Sequence, residues 1–117
     1  MTLFEPHRLG DIDLNNRIVM APMTRSRAGQ DDEPTPLAID YYSQRATAGG
    51  LLITEAVNIS PEAVGYISVP GIWTEEQTVA WRAVTNAVHA KGGKIFMQLW
   101  HTGRIAHPSF GDHPLLK

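Results

Sequence analysis

Three separated stretches of the chain carry side chains that could hold a ligand through hydrogen bonds. They are Ala21–Arg25, Glu55–Val57 and Gln98–His101, and each lies at the end of a short apolar run. Each places hydroxyl, carboxylate, amide or aromatic groups beside small side chains. This mixture suits a flat ligand with a polar edge, because apolar groups pack against its faces while polar groups hydrogen-bond to its rim.

Other chemistries find little support in the sequence. His101, His107 and His113 recur at a spacing that fits neither one helix face nor a known ligand motif, so we expect no metal site. The absence of cysteine excludes thiolate chemistry and is compatible with a cytoplasmic protein. A net charge of −2 without a basic cluster predicts no nucleic-acid partner. The apolar runs are too short to cross a membrane, and we expect no membrane association.

The apolar runs predict the strands that would position these groups. Arg17–Met20, Leu51–Thr54 and Lys94–Gln98 are almost continuously apolar instead of alternating. Continuous runs are typical of parallel strands that are covered on both faces. Before them, Leu9–Leu14 with Gly10–Asp11 near its middle predicts a hairpin.

Two helices are predicted between the strands. The first runs roughly from Pro36 to Thr47, with Thr35 as its N-cap and proline at the first helical position. The second begins at Thr74–Gln77, which has the residues of a capping box. Apolar residues then recur at helical spacing over Ala80–Val88, which gives one face that can lie on a sheet.

The order hairpin, β, α, β, α, β predicts right-handed crossovers and a parallel sheet. Such a sheet closes either as a doubly wound α/β fold or as a (β/α)8 barrel. No Gly-x-Gly-x-x-Gly follows the first strand, which favours the barrel. A barrel has its active site at the carboxyl ends of its strands, and there the three polar stretches fall. The loops after the first two strands, at roughly 15 to 20 residues each, are long enough to be functional.

Several motifs stand out along nearly the whole chain: Leu3–Pro6, Leu9–Gly10, Leu14–Arg25, Glu55–Ala56, Gly65–Tyr66, Pro70–Trp73 and Gln98–Arg104. Together they resemble those of the old yellow enzyme family, in family order and at family spacing, and the branch that they resemble most is that of the bacterial reductases of N-ethylmaleimide, nitrate esters and related xenobiotics. The resemblance implies an FMN-containing TIM barrel, of which residues 1–117 form an incomplete N-terminal segment of a single domain. That segment would supply the hairpin, the first three strands and two helices.

The resemblance also implies an activity and a set of site residues. Members of the family are ene-reductases that pass hydride from NADPH through FMN to activated alkenes or nitro compounds. Thr24 would face the flavin O4, Ala56 would pack against the ring, and Gln98 would direct its amide to the pyrimidine edge. Pro22 and Met23 would complete the cofactor-binding residues.

Tyr66 and Trp100 would border the substrate cavity, again by resemblance. The family's proton donor and substrate-anchoring pair lie on later strands, so no catalytic residue is assigned here. The alternative is a non-catalytic, truncated or split segment that needs the remainder of the barrel, possibly as a second chain, for flavin binding and activity.

Each site residue also has a structural interpretation. Thr24 could satisfy a loop carbonyl, and Gln98 could be an ordinary half-buried amide. Large aromatic side chains such as those of Tyr66 and Trp100 more often serve packing. Arg25 and Arg27 are most simply partners of carboxylates, and Glu55 is one candidate carboxylate.

Overall fold

A computed structural model of the chain describes residues 2–107 and residue 109. The chain opens with an antiparallel hairpin of β1 (His7–Leu9) and β2 (Ile12–Leu14), as the sequence predicts. Gly10 in the turn has φ 59°, a left-handed conformation that glycine adopts without steric cost. The third of the spaced histidines, His113, lies outside the described residues.

Three parallel strands follow: β3 (Val19–Met20), β4 (Leu51–Asn58) and β5 (Lys94–Trp100). Their order in the sheet is β3-β4-β5, which confirms the predicted parallel sheet and places β4 in its centre. The predicted strand bounds were partly wrong. β3 is shorter than predicted, whereas β4 and β5 continue to Asn58 and Trp100. Glu55–Val57 therefore lie within β4 and not after it, and Gln98, predicted as the last residue of its strand, lies within β5.

Two helices connect the strands: α1 (Pro36–Arg45) and α2 (Glu75–Ala90). Thr35 occupies the N-cap position of α1, but its side chain makes no capping hydrogen bond. The capping box of α2 is confirmed, since the Thr74 hydroxyl accepts the Gln77 N–H and the Gln77 amide oxygen accepts the Thr74 N–H, both at 3.1 Å. Single 3-10 turns that the sequence did not predict lie at Gln30–Asp32, Pro61–Ala63 and Gly103–Ile105.

The core lies between the helices and one face of the sheet. Trp81 is its largest member, and its indole N–H donates to the Gly71 carbonyl oxygen at 3.1 Å. Burying a large apolar side chain contributes about 1.5–3 kcal/mol, so this cluster is the main source of stability for the helix layer. Its buried members are Ala38, Tyr42, Ala46, Leu52, Val57, Trp81, Val84 and Val88, with Met20, Ile95 and Met97 packed against them.

A β-bulge in β4 decides which side chains face away from the helices. The pairing with β5 advances three residues on β4, from Ile53 to Ala56, for two residues on β5. Leu52 and Val57 therefore both face the helix-side core, although they are an odd number of residues apart. Ala56 is consequently turned to the opposite face of the sheet. We call this face, to which Ala56 and Gln98 belong, the open face.

Candidate functional site

Ala56 and Gln98 lie side by side on the open face, because they are register partners across β4 and β5. Ala56 is buried and Gln98 is exposed. Within the described residues the Gln98 side-chain amide has no hydrogen-bond partner, and only its backbone N–H is bonded, to the Thr54 hydroxyl at 3.2 Å. The amide is thus exposed and not half-buried, and both its donor and its acceptor are available to a ligand.

Pro22, Met23 and Thr24 follow directly after β3, at the same carboxyl-terminal edge of the sheet. Met23 and Thr24 are exposed, and Pro22 is partly buried. In the part of the chain that the structure describes, the Thr24 hydroxyl bonds to no carbonyl or other group. The structural interpretation of Thr24 as a partner for a loop carbonyl therefore finds no support, and its hydroxyl remains available to a ligand.

A partly buried ion pair joins the loop after β3 to the bulge of β4. The Arg25 guanidinium Nη2 donates to the Glu55 carboxylate Oε2 at 2.5 Å, and the Glu55 side chain is 4% exposed. The pairing expected for Arg25 is confirmed. Arg25 directly follows Thr24, and Glu55 directly precedes Ala56. The pair therefore holds the backbone beside Thr24 in a fixed position relative to the backbone beside Ala56.

Two tyrosines of α1 contact this ion pair and hold it in place. The Tyr42 hydroxyl accepts the Glu55 backbone N–H at 2.9 Å and donates to Glu55 Oε2 at 3.4 Å. Burial is the main cause that raises the pKa of Tyr42 to about 12, so the phenol keeps the proton that it donates. The Arg25 guanidinium also lies 3.5 Å from the centre of the Tyr41 ring, a cation–π contact. The helix thus holds both partners of the pair.

A cavity of about 290 Å³ lies beside the ion pair and not on the open face. Arg25, Glu55 and Tyr41 line it together with apolar side chains such as Pro34 and Leu37. Arg25 Nε and Glu55 Oε1 are buried without a hydrogen-bond partner. The cavity has room for ordered water, which could donate to the carboxylate oxygen and accept from the guanidinium N–H. None of the candidate ligand residues Thr24, Ala56 and Gln98 lines this cavity.

Tyr66 and Trp100 meet at the carboxyl-terminal end of the open face. Their rings are stacked, with centroids 5.5 Å apart and planes inclined by 18°. Tyr66 is 43% exposed and Trp100 is half-buried, and neither belongs to the helix-side core. The structure therefore brings the two aromatic residues together at the edge where the sequence places the ligand. Their role at a substrate cavity stays a prediction.

The close packing of Gly65 against Thr102 allows the Tyr66–Trp100 stack to form. A Cβ atom at Gly65 would collide with the Thr102 side chain. The Thr102 hydroxyl donates to the Ala63 carbonyl oxygen at 2.8 Å, which closes the two segments on each other. Because Tyr66 follows Gly65 and Trp100 precedes Thr102 by two residues, this contact brings the two rings together.

The two long loops, residues 21–35 and 59–74, hold each other by backbone hydrogen bonds. Ala28 N–H donates to the Ser68 carbonyl oxygen at 2.9 Å, and Gly71 N–H donates to that of Asp32 at 2.8 Å. Asp32 has a left-handed backbone with φ 54°, and its pKa is raised by burial and by the neighbouring Asp31. Gln77, which is buried, also donates to the Asp31 carbonyl oxygen at 3.0 Å. The two loops that flank the site are therefore bonded to each other and, through Gln77, to the start of α2.

Sequence reasoning missed two of these residues. Gln77 was predicted only as part of the capping box. Its contact with the loop after β3 was not predicted. Asn58 was missed because the second strand was predicted to end before it, whereas the structure shows it buried at the end of β4 in register with Trp100. A polar residue that closely follows an apolar run was the only local signal.

Neither a metal site nor a membrane-spanning helix is found in the part of the chain that the structure describes. Over residues 2–107 and 109, no group of three or more histidine, cysteine, aspartate or glutamate side chains is arranged to hold a metal ion. None of the helices in the same range combines the length and the apolar character needed to span a bilayer.

Comparison with known proteins identifies the family. The model of the NADH:flavin oxidoreductase / NADH oxidase family matches residues 2–113 of the chain. The chain is 51% identical over 108 residues to putative 12-oxophytodienoate reductase 11 of Oryza sativa subsp. japonica, covering 92% of this chain and 29% of that protein. It is 54% identical over 107 residues to a chanoclavine-I aldehyde reductase of Penicillium roqueforti, covering 91% and 29% respectively.

Solved structures agree with this assignment. The old yellow enzyme homologue of Zymomonas mobilis matches with a TM-score of 0.92 at 47% identity, covering 98% of this chain and 32% of that one. Morphinone reductase in complex with tetrahydroNAD matches with a TM-score of 0.87 at 55% identity, covering 92% and 29%. The chain thus spans about a third or less of the length of these relatives. It belongs to the NADH:flavin oxidoreductase / NADH oxidase family, which includes the old yellow enzymes, and its three parallel strands are part of a (β/α)8 barrel fold.

Proposed function

We propose that the chain is the N-terminal segment of a single FMN-binding domain and acts, with the rest of the barrel, as an ene-reductase. Hydride would pass from NADPH through FMN to a small activated alkene or nitro compound. The observation that carries this proposal is a pair of polar side chains without a hydrogen-bond partner within the described residues. The Gln98 amide lies beside the small Ala56 on the open face, and the Thr24 hydroxyl follows β3 at the same carboxyl-terminal edge of the sheet.

These groups fit the isoalloxazine ring of FMN. A buried alanine leaves room for a flat ring to lie against the strand, and the adjacent free amide can donate and accept at the ring's pyrimidine edge. The Thr24 hydroxyl would donate to the flavin O4, with Pro22 and Met23 beside it. When bound, FMN would supply the two-electron chemistry, and the protein would supply binding, orientation and hydrogen bonds.

The relatives' names support the reaction class. They are reductases of small organic molecules, and one was solved with a nicotinamide compound, tetrahydroNAD. The choice of NADPH as donor rests on the resemblance to the old yellow enzyme family. For this chain, activated alkenes and nitro compounds are the substrate classes that we propose.

The test uses a completed barrel, by which we mean residues 1–107 of this chain joined to the remaining part of the morphinone reductase relative. We expect the purified protein to show flavin absorbance and to oxidise NADPH anaerobically when N-ethylmaleimide is added. A folded completed barrel that binds FMN but reduces neither alkenes nor nitro compounds would reject the proposed reaction.

A second candidate follows from the span of the chain. It covers only about 29% of the length of several relatives, so the chain alone could be a non-catalytic segment that contributes to a site only when the remainder is present. Flavin absorbance of the purified chain, measured with and without the remaining part of the barrel, separates this candidate from an active single chain.

Thr24→Ala in the completed barrel should lower the flavin reduction potential by about 20–30 mV. A hydrogen bond to a charged partner contributes ~1.5–3 kcal/mol, against ~0.5–1.5 kcal/mol for a neutral one. The reduced flavin therefore gains roughly 1–1.5 kcal/mol more from the hydroxyl, and ~1.4 kcal/mol corresponds to ~30 mV for two electrons. Spectroelectrochemical titration measures the shift. Thr24→Ser keeps the donor and should leave the potential near the parent value, and an unchanged or raised potential in Thr24→Ala would contradict the assigned role.

Tyr66→Ala and Trp100→Ala should change which alkenes and nitro compounds are reduced, while FMN stays bound. The two exposed or half-buried rings border the open face and are not part of the core, so their truncation should cost less stability than truncation of a core aromatic residue. Trp81→Ala is the matched control, since truncation of a buried aromatic residue costs ~3–5 kcal/mol. Melting temperature and a substrate panel are measured together. A large loss of stability in the first two variants, with unaltered substrate preference, would show that their role is packing.

A further inference from the structure

A buried hydrogen bond fixes the orientation of Trp100. The indole Nε1–H donates to the side-chain oxygen of Asn58 at 2.7 Å. Asn58 has no exposed surface, whereas Trp100 is half-buried. The two residues are register partners at the ends of β4 and β5, so the bond links the two strands at the edge that carries the ligand groups.

The amide of Asn58 can present only its oxygen to the indole. On its other side the Asn58 Nδ2 lies 3.4 Å from the Val69 carbonyl oxygen, where a donor is required. Turning the amide over would set two donors against each other at the indole and two acceptors against each other at Val69. The neighbouring main chain is also fixed, because Asn58 N–H donates to the Pro70 carbonyl oxygen at 2.9 Å and the Asn58 carbonyl oxygen accepts from Ile72 N–H at 3.0 Å.

This arrangement restricts the indole. An indole has one donor, and rotating Trp100 away from Asn58 would leave a buried amide oxygen unsatisfied. The Tyr66 ring stacks on the same indole, so any reorientation of Trp100 would also change the surface that Tyr66 presents. One buried amide therefore determines the shape of the aromatic pair.

We propose that Asn58 is a positioning residue that sets the orientation of Trp100 and, through the stack, the selectivity for substrates of different size. This inference rests on the proposed function, in which Trp100 and Tyr66 border the substrate cavity. Asn58 acts through Trp100 and does not itself contact the substrate.

The test compares substrate ratios in the completed barrel. The readout is the ratio of kcat/KM for N-ethylmaleimide and for a bulkier cyclic enone. Asn58→Leu removes the acceptor at similar volume, and we expect the ratio to change about tenfold, which corresponds to the loss of one buried hydrogen bond. Trp100→Phe removes the donor while keeping a ring in the stack and should shift the ratio in the same direction.

A double variant separates positioning from simple structural support. If Asn58 acts through the indole, adding Asn58→Leu to Trp100→Phe should cause no further change in the ratio. Asn58→Asp, assayed at a pH at which its carboxyl is protonated, should keep the parent ratio, because the acid form has an acceptor for the indole and a donor for Val69. Asn86→Leu, at an exposed position of α2, is the matched control and should leave the ratio unchanged.

Each outcome bears on one hypothesis. If the parent reduces no alkene at all, the proposed function fails before Asn58 is tested. If the parent is active and Asn58→Leu lowers the melting temperature with an unchanged ratio, Asn58 only supports the loop at Val69 and the inference is overturned. If Asn58→Leu does not fold, Trp100→Phe decides, since an unchanged ratio in that variant shows that the hydrogen bond does not set selectivity.

Discussion

The chain alone should self-associate, bind FMN weakly if at all, and show no NADPH-dependent reduction of alkenes. Its sheet has two open edges, because β3 and β5 both flank β4 and neither has a second neighbour within the described residues. Unpaired strand edges are templates for pairing with other chains. Size-exclusion chromatography, flavin absorbance and an anaerobic assay with N-ethylmaleimide measure the three parts of this expectation.

Exposed apolar side chains also favour self-association of the isolated chain. Val19 and Phe96 on the open face are 43% and 49% exposed, and Ile18 and Leu99 near the two edges are 49% and 58% exposed. Small chains have little stability with which to offset such exposure. Supplying the remainder of the barrel, fused or as a second chain, should cover these groups and restore flavin binding and activity.

A pair of variants tests whether the open face drives the association. Phe96→Lys should reduce self-association of the isolated chain, because it places a charge in the middle of that face. Leu37→Lys, at a position of α1 that is 66% exposed, is the control and should have little effect. A monodisperse yellow monomer of 12.9 kDa that reduces N-ethylmaleimide would refute the whole expectation.

The elements that could be predicted are those with local signals. The capping box at Thr74, the proline at Pro36 and the hairpin at Gly10 each depend on residues a few positions apart, and all three lie where the sequence places them. The β-bulge could not be predicted in this way. It depends on the Thr54 hydroxyl, which bonds to Gln98 N–H across the sheet, and on the Tyr42 hydroxyl, which satisfies the Glu55 N–H from a helix.

The site residues also differ in whether a local sequence signal could locate them. The apolar runs placed Thr24, Ala56 and Gln98 near strand ends, and the structure shows how a bulge turns Ala56 to the face that Gln98 shares. Asn58 could not be found in the sequence, since its partner Trp100 is 42 residues away and its role depends on the register of β4 and β5.

The ion pair illustrates how tertiary contacts decide between similar residues. Arg25 and Arg27 were equivalent candidates for a carboxylate partner. Arg25 makes the bond because its guanidinium lies over Tyr41 and reaches Glu55, whereas Arg27 is exposed. Spacing alone contains no information on the position of Tyr41, so the sequence could name the pair only as one possibility.

Arg25→Ala should destabilise the completed barrel by at most about 3–5 kcal/mol, the usual result of removing one partner from a fully buried ion pair, since Glu55 is buried but the Arg25 side chain is 21% exposed. The Glu55 side chain, which is 4% exposed in the parent, would lose its cationic partner and keep only its bond from Tyr42, while Oε1 already lacks a partner. Thermal unfolding followed by tryptophan fluorescence measures the loss. Because Thr24 adjoins Arg25 and Ala56 adjoins Glu55, we also expect weaker FMN binding, measured by fluorescence of released flavin.

Two controls make this last expectation specific to the uncompensated charge. Arg27→Ala removes an exposed guanidinium two residues away and should change stability by no more than about 0.5 kcal/mol. The double variant Arg25→Met with Glu55→Leu removes both charges and should recover most of the lost stability, since apolar replacements of buried pairs are often neutral or stabilising. FMN affinity in the double variant then shows whether the charges or only the packing hold Thr24 and Ala56 in place. A stability loss below about 1 kcal/mol in Arg25→Ala would show that the pair is solvated in solution and does not fix the two strand ends.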